Sequence, residues 1–227
     1  MKSKNNYKYN FNFLINSDSI FKRKRFIVSA LNLAFLAFFL NKEIKYHKDY
    51  ILWPDGLFGK LYINTKKIPG FRLLSKLKIP HNIKSIIVMG NLELKEKKYL
   101  KKKFKKKITH IKLINGSINK IIKNLSIKLD SKSLILITLP TPKQEQLSCY
   151  LSKKILDYKI ICIGGGLAIA SGNVSQSPKF VSEIGLEWLW RLKSDTIRRV
   201  CRLFYTFYIY IFRGIISKKV NLTFKKT

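Results

Sequence analysis

The sequence has few acidic residues and few cysteines, and each shortage excludes classes of protein. Its 227 residues include 12 Asp and Glu against 46 Lys and Arg, a formal net charge of +34. So large an excess calls for an anionic partner, such as nucleic acid, a lipid headgroup surface or a phosphorylated substrate. The cysteines, Cys149, Cys162 and Cys201, have no paired spacing. This argues against a disulfide framework or a zinc ribbon and fits a reducing cytoplasm.

Long apolar runs are also scarce. The apolar stretch 26–40 has 15 residues, fewer than the ~18–20 that span a bilayer. We interpret it as a buried strand at 26–28 followed by a buried helix at 31–39, with a membrane span as the alternative. The polar first 19 residues lack the pattern of a signal peptide. Apolar residues make up 46% of the chain, enough for a hydrophobic core, so a disordered chain is excluded.

Strand and helix patterns alternate along the middle of the chain. Apolar runs predict strands at 50–53, 85–89, 108–114, 133–139 and 159–163. Helical patterns lie at 92–107, 118–125 and 143–156. Apolar strands that alternate with helices predict an α/β fold, a Rossmann-like, mostly parallel sheet with helices on both faces.

Polar or glycine-rich turns follow four of the predicted strands. They are Asp55-Gly56, Gly90-Asn91, Pro140-Thr141-Pro142 and Gly164-Gly165-Gly166. Because ligands bind at the carboxyl ends of parallel strands, these turns predict a phosphate or nucleotide site at one edge. The sequence has no P-loop and no Asp-x-Asp pair, and its glycines do not match a dinucleotide-binding motif. We interpret the scattered His47, His81 and His110 as structural or solvated.

Asp55 is the candidate general base. It stands in Trp53-Pro54-Asp55-Gly56, at the end of a predicted strand. A turn aspartate bonded to its own backbone is the simpler interpretation. The functional interpretation is a carboxylate that takes a proton from a substrate held among cations.

The run Pro142-Lys143-Gln144-Glu145 begins a predicted helix. It could be an ordinary helix start, with proline at the first position and glutamate in the first turn. It could also be a ligand site, because a helix N-terminus attracts anions. The Gln144 amide can both donate to and accept from a sugar or base.

The C-terminal segment alternates arginine with aromatic residues. A helix is predicted over 196–216, with Ser194-Asp195 as its N-cap. At ~100° per residue, four arginines fall within an arc of roughly 100°: Arg198, Arg199, Arg202 and Arg213. The remaining surface is aromatic and aliphatic, the composition of a helix that lies in a membrane interface.

These motifs resemble the WecG/TagA/CpsF family of glycosyltransferases (glycosyltransferase family 26). The family pattern has Pro-Lys-Gln-Glu, a glycine-rich loop, Gly-x-x-x-x-x-Pro, Gly-Leu-Glu-Trp-x-x-Arg-Leu and an arginine pair. Here it is matched by 142–145, 164–166, 172–178, 185–192 and Arg198-Arg199. Upstream, 53–56 and Asn32 are similar to the family's Pro-Asp-Gly segment and early asparagine. The resemblance covers roughly residues 20–205.

The resemblance implies a metal-independent, inverting transfer in surface polysaccharide synthesis, with no cofactor. An N-acetylmannosamine-type or N-acetylmannosaminuronic acid-type sugar would pass from UDP to a polyprenyl-diphosphate-linked acceptor. Asp55 would deprotonate the acceptor hydroxyl. The other catalytic residues implied are Gln144, Arg191, Arg198 and Arg199. Those implied to bind substrate are Asn32, Gly56, Gly90, Asn91, Pro142, Lys143, Glu145, Gly164, Gly165, Gly166 and Arg202. Among these, Asn32 and Gln144 would contact donor sugar or nucleotide, and the arginines the diphosphate.

The expected organisation has three parts. An extension at 1–19 precedes a catalytic domain at 20–193, and 194–227 form an amphipathic, membrane-associating helical appendage. We expect a cytoplasmic protein, peripheral on the inner face of the plasma membrane. Its partners would be the UDP-sugar donor and the lipid-linked acceptor but no nucleic acid, and a homo-oligomer is compatible with this organisation.

Two alternatives stay open. The charge of +34 and the lysine run 95–107 suggest a basic nucleic-acid-binding module, although that run has few of the aromatic residues that such surfaces use. A catalytically degenerate family member is the second alternative. Ala30 stands where the family often has threonine, and Arg72 stands where an acid is usual.

Overall fold

The sheet contains eight parallel strands in the order β5-β4-β6-β7-β2-β3-β1-β8. The computed structural model describes residues 7–14, 17–56, 59, 62, 65–125, 132–178, 180–181, 190, 196–216 and 220–226. Its strands are β1 Tyr7–Phe13, β2 Phe26–Leu31, β3 Tyr50–Pro54, β4 Ser85–Met89, β5 Lys107–Ile111, β6 Ser133–Ile137, β7 Lys159–Cys162 and β8 Val220–Lys226.

Helices cover both faces of the sheet. They are α1 Leu33–Leu40, α2 Gly70–Lys76, α3 Leu94–Phe104, α4 Ile118–Lys123, α5 Lys143–Ser152, α6 Gly166–Ala170 and α7 Thr196–Ile209. A 3-10 helix spans Ser17–Lys22, and a π-helix, Tyr210–Ile216, continues α7. Residues of α1, α4 and α5 pack in one core cluster, and residues of α2, α3 and α6 pack in the other.

The strands β2, β3, β4, β6 and β7 are mostly apolar because both of their faces are buried. In β2, Ile27 and Leu31 belong to one core cluster, whereas Phe26, Val28 and Ala30 belong to the other. Parallel sheets with helices on both faces produce this pattern. The predicted Rossmann-like α/β fold is confirmed.

The apolar stretch at residues 26–40 is a strand and a helix, as predicted. It forms β2 and α1, and five residues of α1 are buried. Within the described ranges, no helix is both long enough and apolar enough to cross a membrane. The predicted strand at 85–89 has the observed limits, whereas the helices predicted at 92–107 and 143–156 span 94–104 and 143–152.

Two strands were not predicted from the sequence. β1 lies between β3 and β8, so both chain ends contribute to the same sheet. Phe11 of β1 and Phe224 of β8 stack with their ring centroids 6.2 Å apart. The domain limits at residues 19 and 193 stay a prediction.

The topology creates a crevice at the carboxyl edge of the central strands. β7 and β2 are neighbours, but α6, which follows β7, and α1, which follows β2, pack on opposite faces of the sheet. Parallel sheets bind ligands where successive helices diverge in this way. The turns after β7, β2 and β3 therefore surround a candidate site.

Candidate active site

Asn32 and Asp55 meet at the edge of the sheet. Asn32 caps α1, and its Oδ1 accepts a hydrogen bond from the backbone N of Phe35 at 3.0 Å. Its Nδ2 then donates to Asp55 Oδ2 at 3.4 Å. Because the cap engages the amide oxygen, the amide nitrogen is the atom left to face the carboxylate. The structure thus joins the predicted base to the early asparagine.

The backbone also holds Asp55 in place. Its backbone N donates to the carbonyl of Leu31 at 3.2 Å, across the ends of β3 and β2. Gly56, the next residue, has a φ of +69° and nothing within 4 Å of the position of a Cβ. Glycine permits this left-handed turn at little cost. A half-buried carboxylate at this edge can accept a proton from an alcohol.

A second polar cluster lies at the start of α5, on Glu145. This side chain is fully buried, with 0% of its surface exposed. Its Oε1 accepts from Ser29 Oγ at 2.7 Å, from Gln144 Nε2 at 2.8 Å and from Thr141 Oγ1 at 3.3 Å. One carboxyl oxygen therefore accepts hydrogen bonds from β2, from the β6–α5 turn and from α5.

Gln144 belongs to this cluster and is 4% exposed. Its Nε2 donates to Thr141 Oγ1 at 3.1 Å as well as to Glu145. Its Oε1 is buried and has no hydrogen-bond partner among the described residues. That oxygen lies 3.7 Å from the position of a Cβ on Gly164. The unpaired acceptor therefore lies beside the glycine-rich turn after β7.

Burial raises the pKa of Glu145 above its ordinary value of 4.5, and the hydrogen bonds from Ser29, Gln144 and Thr141 oppose the shift. A raised pKa in the folded state stabilises the protein below pH 4.5. This contribution falls by about 1.4 kcal/mol per pH unit as the pH rises to the folded pKa. Glu145→Gln, whose amide does not titrate, should lack this pH-dependent contribution to stability.

We therefore expect the stability difference between wild type and Glu145→Gln to move in favour of the variant as the pH rises. Urea unfolding of both proteins, from below pH 5 to about pH 8, measures it. All other titrating groups cancel in the difference. A difference that is constant with pH would contradict a raised pKa for Glu145.

The turn after β4 is held from two sides. Thr138 Oγ1 donates to the carbonyl of Asn91 at 2.9 Å, and His110 Nε2 lies 2.7 Å from the carbonyl of Gly90. Since a carbonyl only accepts, this ring nitrogen must be the protonated one. Gly90 has a φ of +118°, and a Cβ there would lie 2.4 Å from Thr138 Oγ1. The turn therefore requires glycine at this position.

Gly90→Ala should destabilise the protein by about 1–3 kcal/mol, because it adds both a steric overlap and a strained φ. Chemical denaturation of wild type and variant measures the loss. Gly165→Ala is the matched control for stability, since a Cβ on Gly165 meets nothing within 4 Å. Equal stability of the Gly90→Ala variant and wild type would show that the turn can rearrange.

The turn after β7 contains one glycine with free space beside it and one that is closely packed. Gly165 faces open space, whereas a Cβ on Gly166 would lie 3.1 Å from the carbonyl carbon of Gly70. Gly166 thus allows α6 to approach α2 closely. At the start of α5, Pro142 occupies the N-cap position, and Lys143 Nζ donates to the carbonyl of Gly116 at 2.5 Å.

The arginines predicted to act in catalysis or substrate binding come later in the sequence than the residues of these two polar clusters. Arg191 is outside the described residues, as are Ser194-Asp195 and most of 185–192. Arg198 and Arg199 lie in the first turn of α7, and their side chains are not among those described. Arg202 is exposed on the same helix. The structure thus joins Asn32 to Asp55 and Gln144 to Glu145, and the predicted roles of the arginines stay predictions.

Helix α7 and the π-helix pack on α1 and leave an aromatic surface exposed. The Tyr205 ring lies 6.0 Å from the ring of Phe38, and Tyr210 Oη lies 2.8 Å from Tyr62 Oη. Thr206 and Ile209 are buried. The aromatic surface consists of large side chains that are 48–69% exposed: Phe204, Phe207, Tyr208 and Phe212.

The two residues that depart from the family pattern also have clear positions. Ala30 is buried in β2, where it pairs with Trp53 of β3. Arg72 is exposed on α2, with its guanidinium carbon 5.9 Å from the centroid of the Phe71 ring.

The described residues contain no group of three or more His, Cys, Asp or Glu that could hold a metal ion.

The fold and the crevice define a doubly wound, parallel α/β protein with a polar site at the carboxyl edge of its central strands. The model of the Glycosyl transferase WecG/TagA/CpsF family matches residues 97–223. The chain therefore belongs to this family, which confirms the resemblance and supports a glycosyltransferase. No curated protein matches the chain. The matched region includes Gln144, Glu145 and α7, whereas Asn32 and Asp55 precede it.

Proposed function

We propose that this glycosyltransferase moves an N-acetylmannosamine-type or N-acetylmannosaminuronic acid-type sugar from UDP to a polyprenyl-diphosphate-linked acceptor. The observation that supports the reaction best is the contact of Asn32 Nδ2 with Asp55 Oδ2, at 3.4 Å. It places an oriented carboxylate where ligands of this fold bind.

The chemistry is a single displacement. Asp55 takes the proton of the acceptor hydroxyl while that oxygen forms a bond to the anomeric carbon of the donor sugar. The bond from that carbon to the UDP oxygen breaks, and UDP leaves with the electron pair. Attack from the side opposite the leaving group inverts the anomeric centre. No metal ion takes part in this scheme.

The negative charge that develops on UDP needs positive partners. The N-terminus of α5, at 142–145, carries a partial positive charge from the aligned peptide dipoles of the helix. We assign the remaining charge stabilisation to the arginines Arg191, Arg198, Arg199 and Arg202, as the family resemblance implies. Preorganised donors of this kind usually supply the largest part of catalysis.

The lipid-linked acceptor requires the protein to work at a membrane surface. The aromatic surface of α7 and the π-helix is exposed, and an apolar surface of this composition suits the boundary between headgroups and acyl chains. We therefore propose peripheral attachment to the inner face of the plasma membrane through 194–227.

Donor binding tests the proposal and separates it from a nucleic-acid-binding role. Calorimetric titration with a panel of UDP-sugars should give saturable binding and identify the preferred sugar. Titration with RNA and DNA at physiological salt is the comparison. Affinity for nucleic acid with a steep salt dependence, and none for UDP-sugars, would favour the basic-module alternative instead.

A further inference from the structure

We infer that Glu145 is a positioning residue, which fixes the amide of Gln144 so that its Oε1 is presented as an acceptor to an N–H or O–H donor of the nucleotide sugar. This inference rests on the proposed function for the identity of the ligand. The orientation itself follows from hydrogen bonds within the described residues.

The amide of Gln144 has two N–H groups, and both are engaged. One donates to Glu145 Oε1 at 2.8 Å and the other to Thr141 Oγ1 at 3.1 Å. Glu145 Oε1 and Thr141 Oγ1 are both acceptors here, since Thr141 uses its own hydrogen to donate to Glu145 at 3.3 Å. Rotating the amide by 180° would place its oxygen against Glu145 Oε1. The oxygen is therefore the one polar atom of this amide that has no partner among the described residues.

That oxygen is an unpaired acceptor in a buried position. Gln144 is 4% exposed, and its Oε1 has no hydrogen-bond partner among the described residues. A buried polar atom without a partner destabilises the folded protein. A ligand group that donates to it would recover this cost on binding. The oxygen lies 3.7 Å from the position of a Cβ on Gly164, beside the turn that borders the crevice.

Glu145 is held by more than Gln144. Its Oε1 also accepts from Ser29 Oγ at 2.7 Å, and Ser29 lies in β2, the strand that ends directly before Asn32. Its position therefore depends on β2, so Glu145 connects the strand that leads to Asn32 with the helix that carries Gln144.

An N–H or O–H group that donates to Gln144 Oε1 could come from the sugar or from the uracil ring. Binding measurements with UDP-sugar and with UDP alone distinguish these sources.

A double-mutant cycle tests the inference. We expect Gln144→Ala to weaken binding of the preferred UDP-sugar about 3- to 10-fold, the range for one hydrogen bond. Glu145→Ala should weaken it similarly, and the double variant no more than either single variant, because Glu145 acts through Gln144. Glu145→Gln keeps an acceptor oxygen and should restore most of the affinity. If the variants lose affinity for UDP-sugar but not for UDP, the hydrogen-bond donor to Gln144 belongs to the sugar. If they lose affinity for UDP equally, the hydrogen-bond donor belongs to the uracil ring.

Two further variants guard against simple unfolding. Thr141→Val is nearly isosteric and removes one acceptor of the Gln144 amide, so it should weaken binding in the wild type but not in the Gln144→Ala background. Gln146→Ala is the matched control, since its Nε2 donates to the carbonyl of Glu43 at 2.9 Å instead. Without ligand, hydrogen exchange of the Gln144 side-chain amide, followed by NMR, should be slow in wild type and fast in Glu145→Ala.

The outcomes separate this inference from the proposed function. If wild type binds UDP-sugar but the effects of Gln144→Ala and Glu145→Ala are additive, the positioning role is wrong and the function stands. If Glu145→Ala leaves amide exchange slow, the positioning role is also wrong. If wild type binds no UDP-sugar, the proposed function fails and the proposed ligand of Gln144 fails with it.

Discussion

Asp55→Asn should abolish most of the transfer activity while leaving the fold and donor binding intact. Asparagine has the size of aspartate but cannot take the proton of the acceptor hydroxyl. General-base catalysis contributes about 10²–10⁴-fold, so kcat should fall by that factor. The amide can still accept from Asn32 through its oxygen. The KM for the UDP-sugar should therefore change little, and steady-state kinetics with saturating lipid acceptor measures both parameters.

A matched substitution separates the loss of the base from the loss of a charge. Asp157 lies at 3.5 Å from Lys24, whose side chain is 78% exposed. Exposed ion pairs contribute little to stability, so Asp157→Asn should keep wild-type activity and stability. Full turnover by Asp55→Asn would remove Asp55 from the role of base.

Replacing Phe204 and Phe207 by serine should weaken membrane binding about 10- to 100-fold. Their side chains are 69% and 48% exposed on α7. Fully burying a phenylalanine is worth about 1.5–3 kcal/mol, and partial insertion of two rings gives a similar total. Sedimentation with vesicles of phosphatidylglycerol and phosphatidylethanolamine measures the partition coefficient.

High salt and a control variant separate the apolar contribution to membrane binding from the electrostatic one. A net charge of +34 attracts the protein to anionic vesicles whatever its aromatic residues do. The comparison is therefore made at about 1 M salt, where the Debye length is roughly 3 Å. Leu156→Ser is the control, because Leu156 is 80% exposed but follows α5 rather than lying on α7. Equal binding by wild type and the Phe204/Phe207 variant would exclude this surface as the attachment site.

The strands buried on both faces could be predicted because their sequences are continuous apolar runs, as in 85–89 and 133–137. β1 and β8 were missed because they alternate. In β1, Tyr9, Phe11 and Phe13 alternate with polar residues, and Val220, Leu222 and Phe224 do so in β8. This period of two is the signal that would have found them.

The candidate site could be predicted in its parts but not in its contacts. Asn32 and Asp55 are 23 residues apart and meet because β2 and β3 pair in parallel, with Leu31 opposite Pro54. Glu145 and Ser29 are 116 residues apart and meet through packing between α5 and the sheet. Sequence motifs contain neither the strand order nor the register. The family motif implied a substrate contact for Glu145, which stays a prediction, and the structure adds the hydrogen bonds of its Oε1 to Ser29, Gln144 and Thr141.

Acceptor-dependent release of UDP, measured in EDTA with a polyprenyl-diphosphate-linked acceptor analogue, tests the central claim most directly. The proposed mechanism predicts release from the preferred UDP-sugar only when the acceptor is present, and a product with inverted anomeric configuration. Asp55→Asn should reduce this release by about 10²–10⁴-fold. Absence of release by folded wild-type protein, across the panel of UDP-sugars and with the acceptor present, would contradict a metal-independent transferase with this acceptor.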